Sequence, residues 1–219
     1  MMIERKKLVL AGVIACFTAC AGDVLTLFIL AGKYPGYNQL FNTISSLGAS
    51  ESPVSSIISL WWVILGVLII SFAFGFRAAF SPGNKYITVA FWLLIIYGLG
   101  EGIASGLFKA DLVHNSMTLS YGIHDILGGA GVVCILVLPL VVQKVDQFSI
   151  NPGFRKLSHV VFVLGMLIQI LFTFRFFGAG NNFPGKYTGL WQRLFLLMYY
   201  TYMIIIAIKM IVSMGRQEK

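Results

Sequence analysis

The sequence predicts an all-α integral membrane protein, a single bundle of six transmembrane helices with both termini in the cytoplasm. Three observations predict it. Hydrophobic residues make up 58% of the 219 and charged residues 11%, with a mean hydropathy of +0.86; that is more apolar surface than one water-soluble core can hide. Six apolar runs, at roughly 8–32, 54–77, 86–108, 120–142, 157–178 and 189–212, each reach the about 20 residues that carry a helix across a hydrocarbon core. The connections are short, and four of them hold Pro-Gly, at Pro35-Gly36, Pro82-Gly83, Pro152-Gly153 and Pro184-Gly185, a dipeptide of tight turns. Residues 1–219 are therefore one transmembrane domain. Backbone groups in lipid must be satisfied internally, and without alternating patterning such runs mean helices rather than a barrel.

Orientation follows from Lys and Arg. Arg5, Lys6, Lys7, Arg77, Lys85, Lys144, Arg155, Lys156, Lys209, Arg216 and Lys219 share one side, against Lys33, Lys109, Arg175, Lys186 and Arg193 on the other. The positive-inside rule puts the first group in the cytoplasm and predicts a multi-pass protein of the plasma (inner) membrane. The net charge of +8 then reflects orientation, and no nucleic-acid partner is expected, since no basic stripe is interleaved with aromatics.

The first span follows Glu4-Arg5-Lys6-Lys7 in the manner of a signal sequence, and Val13-Ile14-Ala15-Cys16 loosely resembles a lipoprotein cleavage box. The apolar run continues well past Cys16, so an uncleaved span is expected. Cys16, Cys20 and Cys134 all fall in apolar spans, which suits packing rather than a disulfide framework. Between spans one and two, Tyr37, Leu40, Phe41, Ile44 and Leu47 share a helical face, with Gly48 after them as a stop. This predicts a short amphipathic helix over 37–47 in the outer interface or folded over the bundle. Ser52-Pro53 reads as an N-cap and first helical residue for span two, whose Ser52, Ser55 and Ser59 share a face. In span three, Gly98, Gly102 and Gly106 recur at four-residue intervals, a ridge for close helix packing. Gly122, Gly128, Gly129 and Gly131 thin span four in the same way.

Five ionisable residues lie inside the apolar runs: Asp23, Glu101, Asp125, Arg175 and Arg193. At about 1.5 Å of rise per residue all five fall in the outer half, whereas the inner stretches 8–20, 62–76, 86–97, 128–142 and 194–208 carry no Asp, Glu, Lys, Arg or His. A charge at membrane depth is costly and marks function by default, and a pathway that stops midway argues against a pump. Two readings stay open for the cluster: a lock of mutual ion pairs, or a polar pocket facing a ligand. His124 adjoins Asp125, and Asp111 and His114 lie just beyond the spans, which is more chemistry than helix pairing needs. No HxxxH or HExxH spacing is present, and no metal or other cofactor is expected.

Tyr34-Pro35-Gly36-Tyr37, Asn42-Thr43-Ile44-Ser45-Ser46-Leu47-Gly48-Ala49, Ser52-Pro53, Gly106-Leu107-Phe108 with Asp111, His124, and Gly189-Leu190-Trp191-Gln192-Arg193 together resemble the prokaryotic six-helix membrane family catalogued as domain of unknown function 998. The resemblance covers nearly the whole chain and implies fold and location only. It departs from the family at Ser46, where an acidic residue is usual, and at Lys109, where a proline is usual. Its positions fall on the face singled out by topology.

The expected function is recognition, with chemical processing as a further step, of a membrane lipid or amphiphilic anionic molecule entering from the outer leaflet. Arg175 and Arg193 would hold the anionic head group, with Gln192, Asp23, Asp111, Asn42 and Ser45 completing the ligand-binding set. His124, Asp125 and Glu101 are the candidate catalytic residues for acid–base work. A small-solute transporter and a structural or partner-binding membrane protein are the alternatives. Nothing in the sequence specifies an oligomeric state.

Overall fold

The computed structural model describes residues 2–80, 83–113, 116–177 and 182–216; His114 lies outside them. Six helices are long and apolar enough to cross a membrane, as expected from the apolar runs. They are α1 (Met2–Ala31), α2 (Ser55–Ala79), α3 (Lys85–Leu107), α4 (Leu119–Val142), α5 (Pro152–Thr173) and α6 (Thr188–Arg216). Each helix packs on its sequence neighbour, and α6 returns to α1, so the bundle closes into a ring with α2 also touching α6. Six antiparallel passes bring the first and last residues of the bundle to the same end.

Local chemistry sets the helix starts. The Asn84 and Asn151 side chains accept from Tyr86 N–H and Phe154 N–H, and the Thr118 hydroxyl accepts from Tyr121 N–H, capping α3, α5 and α4. With Asn151 as cap and Pro152 in the first turn, α5 begins earlier than its apolar run. Ser52 does not cap α2 directly. Its hydroxyl accepts from Val54 N–H at 3.3 Å, and the helix starts after that turn.

The helices approach most closely where glycine removes the side chain. A Cβ added at Gly102 would overlap Gly66 Cα, and one at Gly106 would lie 2.5 Å from the Ser59 carbonyl oxygen. The glycine ridge of α3 is thus a packing seam against α2. Within it, Gly98–Ala104 is a π-helix, a short wide turn that occurs frequently at functional sites. It carries Glu101.

The two ends of the bundle differ in kind. At the end of the termini an aromatic column joins Phe76, Phe80, Phe148, Phe154 and Tyr202, with ring centroids 4.6–5.6 Å apart, and Phe76, Phe80 and Phe148 are buried. At the far end the connectors carry the polar groups. The 37–47 segment is not a continuous helix but a set of turns followed by a 3₁₀ helix, Ile44–Leu47. Side chains take its backbone: Asn38 Oδ1 accepts from Leu40 N–H, and Asn42 Oδ1 from Asn38 N–H, the local competition by which Asn disfavours helix. Beyond α3, Leu112–Val113 and Ser116–Met117 form a two-residue antiparallel ladder.

Candidate functional site

Two cavities lie in series at the far end. An open cleft of ≈ 620 Å³ is bordered by Ser45, Ser46, Glu51, Asp111, Asp125 and Arg175, among others. Inside the bundle a smaller cavity of ≈ 100 Å³ is bordered by Asp23, Glu101, His124, Gln192, Tyr97 and Tyr200, and again by Ser45. A larger groove of ≈ 760 Å³ at the opposite end, beside Phe80 and Ile205, has Lys209 as its one charged wall among the described residues, and that ammonium sits 5.5 Å from the Phe154 ring centroid.

Ser45 stands between the two cavities, at the start of the 3₁₀ helix. His124 Nε2 lies 3.3 Å from its Oγ, and His124 Nδ1 lies 2.9 Å from the Phe108 carbonyl oxygen. A carbonyl only accepts, so Nδ1 carries a proton; in the neutral ring Nε2 is then the acceptor facing the serine hydroxyl. A base oriented by one partner and touching a hydroxyl is the arrangement that activates nucleophiles.

Asp23 is 1% exposed. Its Oδ1 accepts from Trp61 Nε1–H and its Oδ2 from the Tyr200 hydroxyl, both at 2.8 Å. Glu101, displayed by the π-helix, borders the inner cavity and among the described residues forms no hydrogen bond or ion pair. Asp111 holds the connector: Ser50 N–H and Oγ–H donate to its two oxygens at 2.7 and 2.6 Å. Partial burial pushes the Asp111 carboxyl up, but the two Ser50 donors and the nearby Lys109 charge outweigh it and hold the group below its ordinary value. Asp111 is therefore an anion at neutral pH.

The two arginines separate. Arg175 lies in a 3₁₀ turn, Phe174–Phe176, that ends α5. Its guanidinium stacks 3.9 Å from the Phe172 ring centroid and 4.4 Å from that of Phe176, and its Nε is buried without a partner among the described residues. Arg193 reaches neither cavity. It donates to Gly189 O (3.0 Å), Asn42 O (3.3 Å) and Tyr37 Oη (2.7 Å), tying the connector to α6. Burial pushes the Tyr37 hydroxyl above its ordinary value despite Arg193 beside it, and its proton goes to Thr43 O at 2.9 Å. Gln192 joins the same clamp, its Oε1 accepting from Ile44 N–H at 2.6 Å, and Leu190 N–H donates to Leu40 O at 3.0 Å.

Among the described residues none of the five membrane-depth charges forms an ion pair with another. Asp23, Glu101, His124, Ser45 and Gln192 meet at the inner cavity, Asp111, Asp125 and Arg175 meet at the cleft, and Asn42 and Arg193 belong to the clamp. Tyr97, Tyr200, Trp61 and Gln169 were invisible as site residues in the sequence, where they are ordinary members of apolar or amphipathic runs. No three His, Cys, Asp or Glu side chains form a metal-binding group among the described residues.

No curated protein and no solved structure matches the chain. A family model described as "Protein of unknown function (DUF998)" matches residues 10–209, and the chain belongs to that family.

Proposed function

We propose that the protein binds a lipid or other anionic amphiphile of the plasma membrane, with its termini cytoplasmic and its cleft facing the outer leaflet. The observation that carries this reading is Arg175. A cation on the rim of a ≈ 620 Å³ cleft, stacked on two aromatic rings and, among the described residues, without a carboxylate in ion-pair range, is arranged to receive an anion from outside the protein. It also sits at the end of the helix with the least burial, 17% of its apolar window against 39% or more for the other five, where an acyl chain has access. Asp125 and Glu51 across the cleft suit a head group that also carries hydrogen-bond donors.

The test is native mass spectrometry of the purified protein with phosphatidylglycerol and phosphatidylcholine. Phosphatidylglycerol is expected to be retained in preference, and Arg175→Gln to weaken its retention about tenfold, the equivalent of roughly 1.4 kcal/mol. Arg175→Lys is expected to fall between, since a lysine keeps the charge and loses the fork. Equal retention by wild type and Arg175→Gln refutes the reading.

The contact between Ser45 and His124 favours a second reading, acyl transfer from an ester. Ser45 Oγ would bond to the ester carbonyl carbon while His124 Nε2 takes its proton. The alcohol would leave with that proton, and water would then release the acid and restore the serine. A fluorophosphonate probe is expected to label Ser45 in the folded protein, and Ser45→Ala and His124→Gln to abolish the label. Absence of a wild-type adduct overturns this second reading and leaves the first intact.

A further inference from the structure

We infer that the inner cavity is a binding site for a small organic ammonium ion. Its walls include two carboxyl side chains, Asp23 and Glu101, and, among the described residues, neither a lysine nor an arginine. Six aromatic rings share the lining: Trp62, Tyr97, Phe172, Phe195, Tyr199 and Tyr200. Acid groups and ring faces around one space, without a resident cation, are the chemistry by which proteins hold alkylammonium groups. The rings attract the cation through their quadrupoles, and the carboxylate takes its N–H bonds.

The two carboxyl groups are not equivalent. Asp23 has a protein donor on each oxygen and needs none from a ligand. Glu101 has none among the described residues, and it lies deep in the bundle with its partial exposure on the cavity. Placing a carboxylate at this depth with no donor is costly unless a ligand supplies one. A Cβ added at Gly128 would come within 3.1 Å of Glu101 Oε1, so the glycine of α4 leaves that oxygen its room. The other polar walls are the Gln169 and Gln192 amides, the Ser105 and Ser45 hydroxyls, and the His124 imidazole, whose Nδ1–H is taken by Phe108 O.

Size narrows the class. A volume of ≈ 100 Å³ is room for several waters and suits methylammonium or an ethanolamine-sized amine better than a polyol amine. An inorganic cation would use the oxygens and gain little from the six rings. The site stands whatever occupies the cleft above it.

The test uses the full-length protein in detergent, followed by tryptophan fluorescence on heating, in methylammonium chloride, sodium chloride or N-methyl-D-glucamine chloride at matched ionic strength. Methylammonium is expected to raise the melting temperature in a saturable way, and the other two salts are not. Glu101→Gln is expected to weaken the methylammonium response at least tenfold, and Phe195→Leu several-fold, while Arg175→Gln leaves it unchanged. Equal stabilisation by sodium, no response in the wild type, or an undiminished response in Glu101→Gln overturns the proposal. Should Glu101→Gln fail to fold, an undiminished response in Phe195→Leu overturns it on its own.

Discussion

Gly102→Val is expected to be among the most damaging single substitutions in the bundle. At Gly102 an added Cβ overlaps Gly66 Cα, and Gly66 in turn faces the Gly98 carbonyl oxygen and the Ile103 backbone. The obstacle is main chain on both sides, so no rotamer change relieves it and α2 and α3 must separate. Overpacking of ordinary cores costs about 1–3 kcal/mol and occasionally more; with two backbones in direct contact the upper end or beyond is expected. Dodecyl sulfate titration of the purified protein in mild micelles measures the loss. Gly129→Ala is the control, because an added Cβ there meets nothing and helix propensity improves by up to about 1 kcal/mol. If the two variants unfold at similar dodecyl sulfate levels, the seam is not what holds α2 against α3.

Asp23→Ala comes next. The substitution removes the acceptor for both Trp61 Nε1–H and the Tyr200 hydroxyl and so separates α1 from its links to α2 and α6. Hydrogen bonds between membrane helices average only about 0.6 kcal/mol. Here, however, the larger effect is the two orphaned donors, each costing about 1–3 kcal/mol when left unsatisfied. Asp23→Asn is expected to be much milder, since its amide oxygen accepts from Trp61 while its nitrogen donates to the tyrosine oxygen. Melting curves of the two variants check this. A loss in Asp23→Asn as large as in Asp23→Ala would mean that the negative charge, rather than the hydrogen bonds, is what the site requires.

How legible the site was depended on which physical link was being read. The spans were plain because lipid demands unbroken apolar helix, and the ridge of Gly98, Gly102 and Gly106 announced a seam because small residues at four-residue spacing have one structural use. Partner choice was hidden. Asp23 and Arg193 read equally as halves of an ion pair, yet Asp23 took Trp61 and Tyr200 from two other helices, and Arg193 took main-chain oxygens and a phenol. The rotation of each helix decides this, and apolar residues on every side of a lipid-facing helix leave that rotation unmarked. Tyr200 was lost because a tyrosine in an apolar run counts as hydrophobic until an acceptor is found for its hydroxyl. The 37–47 segment misled for another reason. Its apolar spacing is helical, but Asn38 and Asn42 turn their side chains onto the backbone and Gln192 takes the N–H of Ile44.

The clamp between the first connector and the last helix also sets a timetable. Ser45 is positioned by a segment whose partners, Thr188, Leu190, Gln192 and Arg193, lie near the end of a chain that is synthesised from its N-terminus. Five helices can be in the bilayer while that connector still lacks what holds it. Ser45 and His124 therefore meet in their final geometry only once α6 has inserted, and a chain interrupted before α6 carries most of the bundle but no finished site.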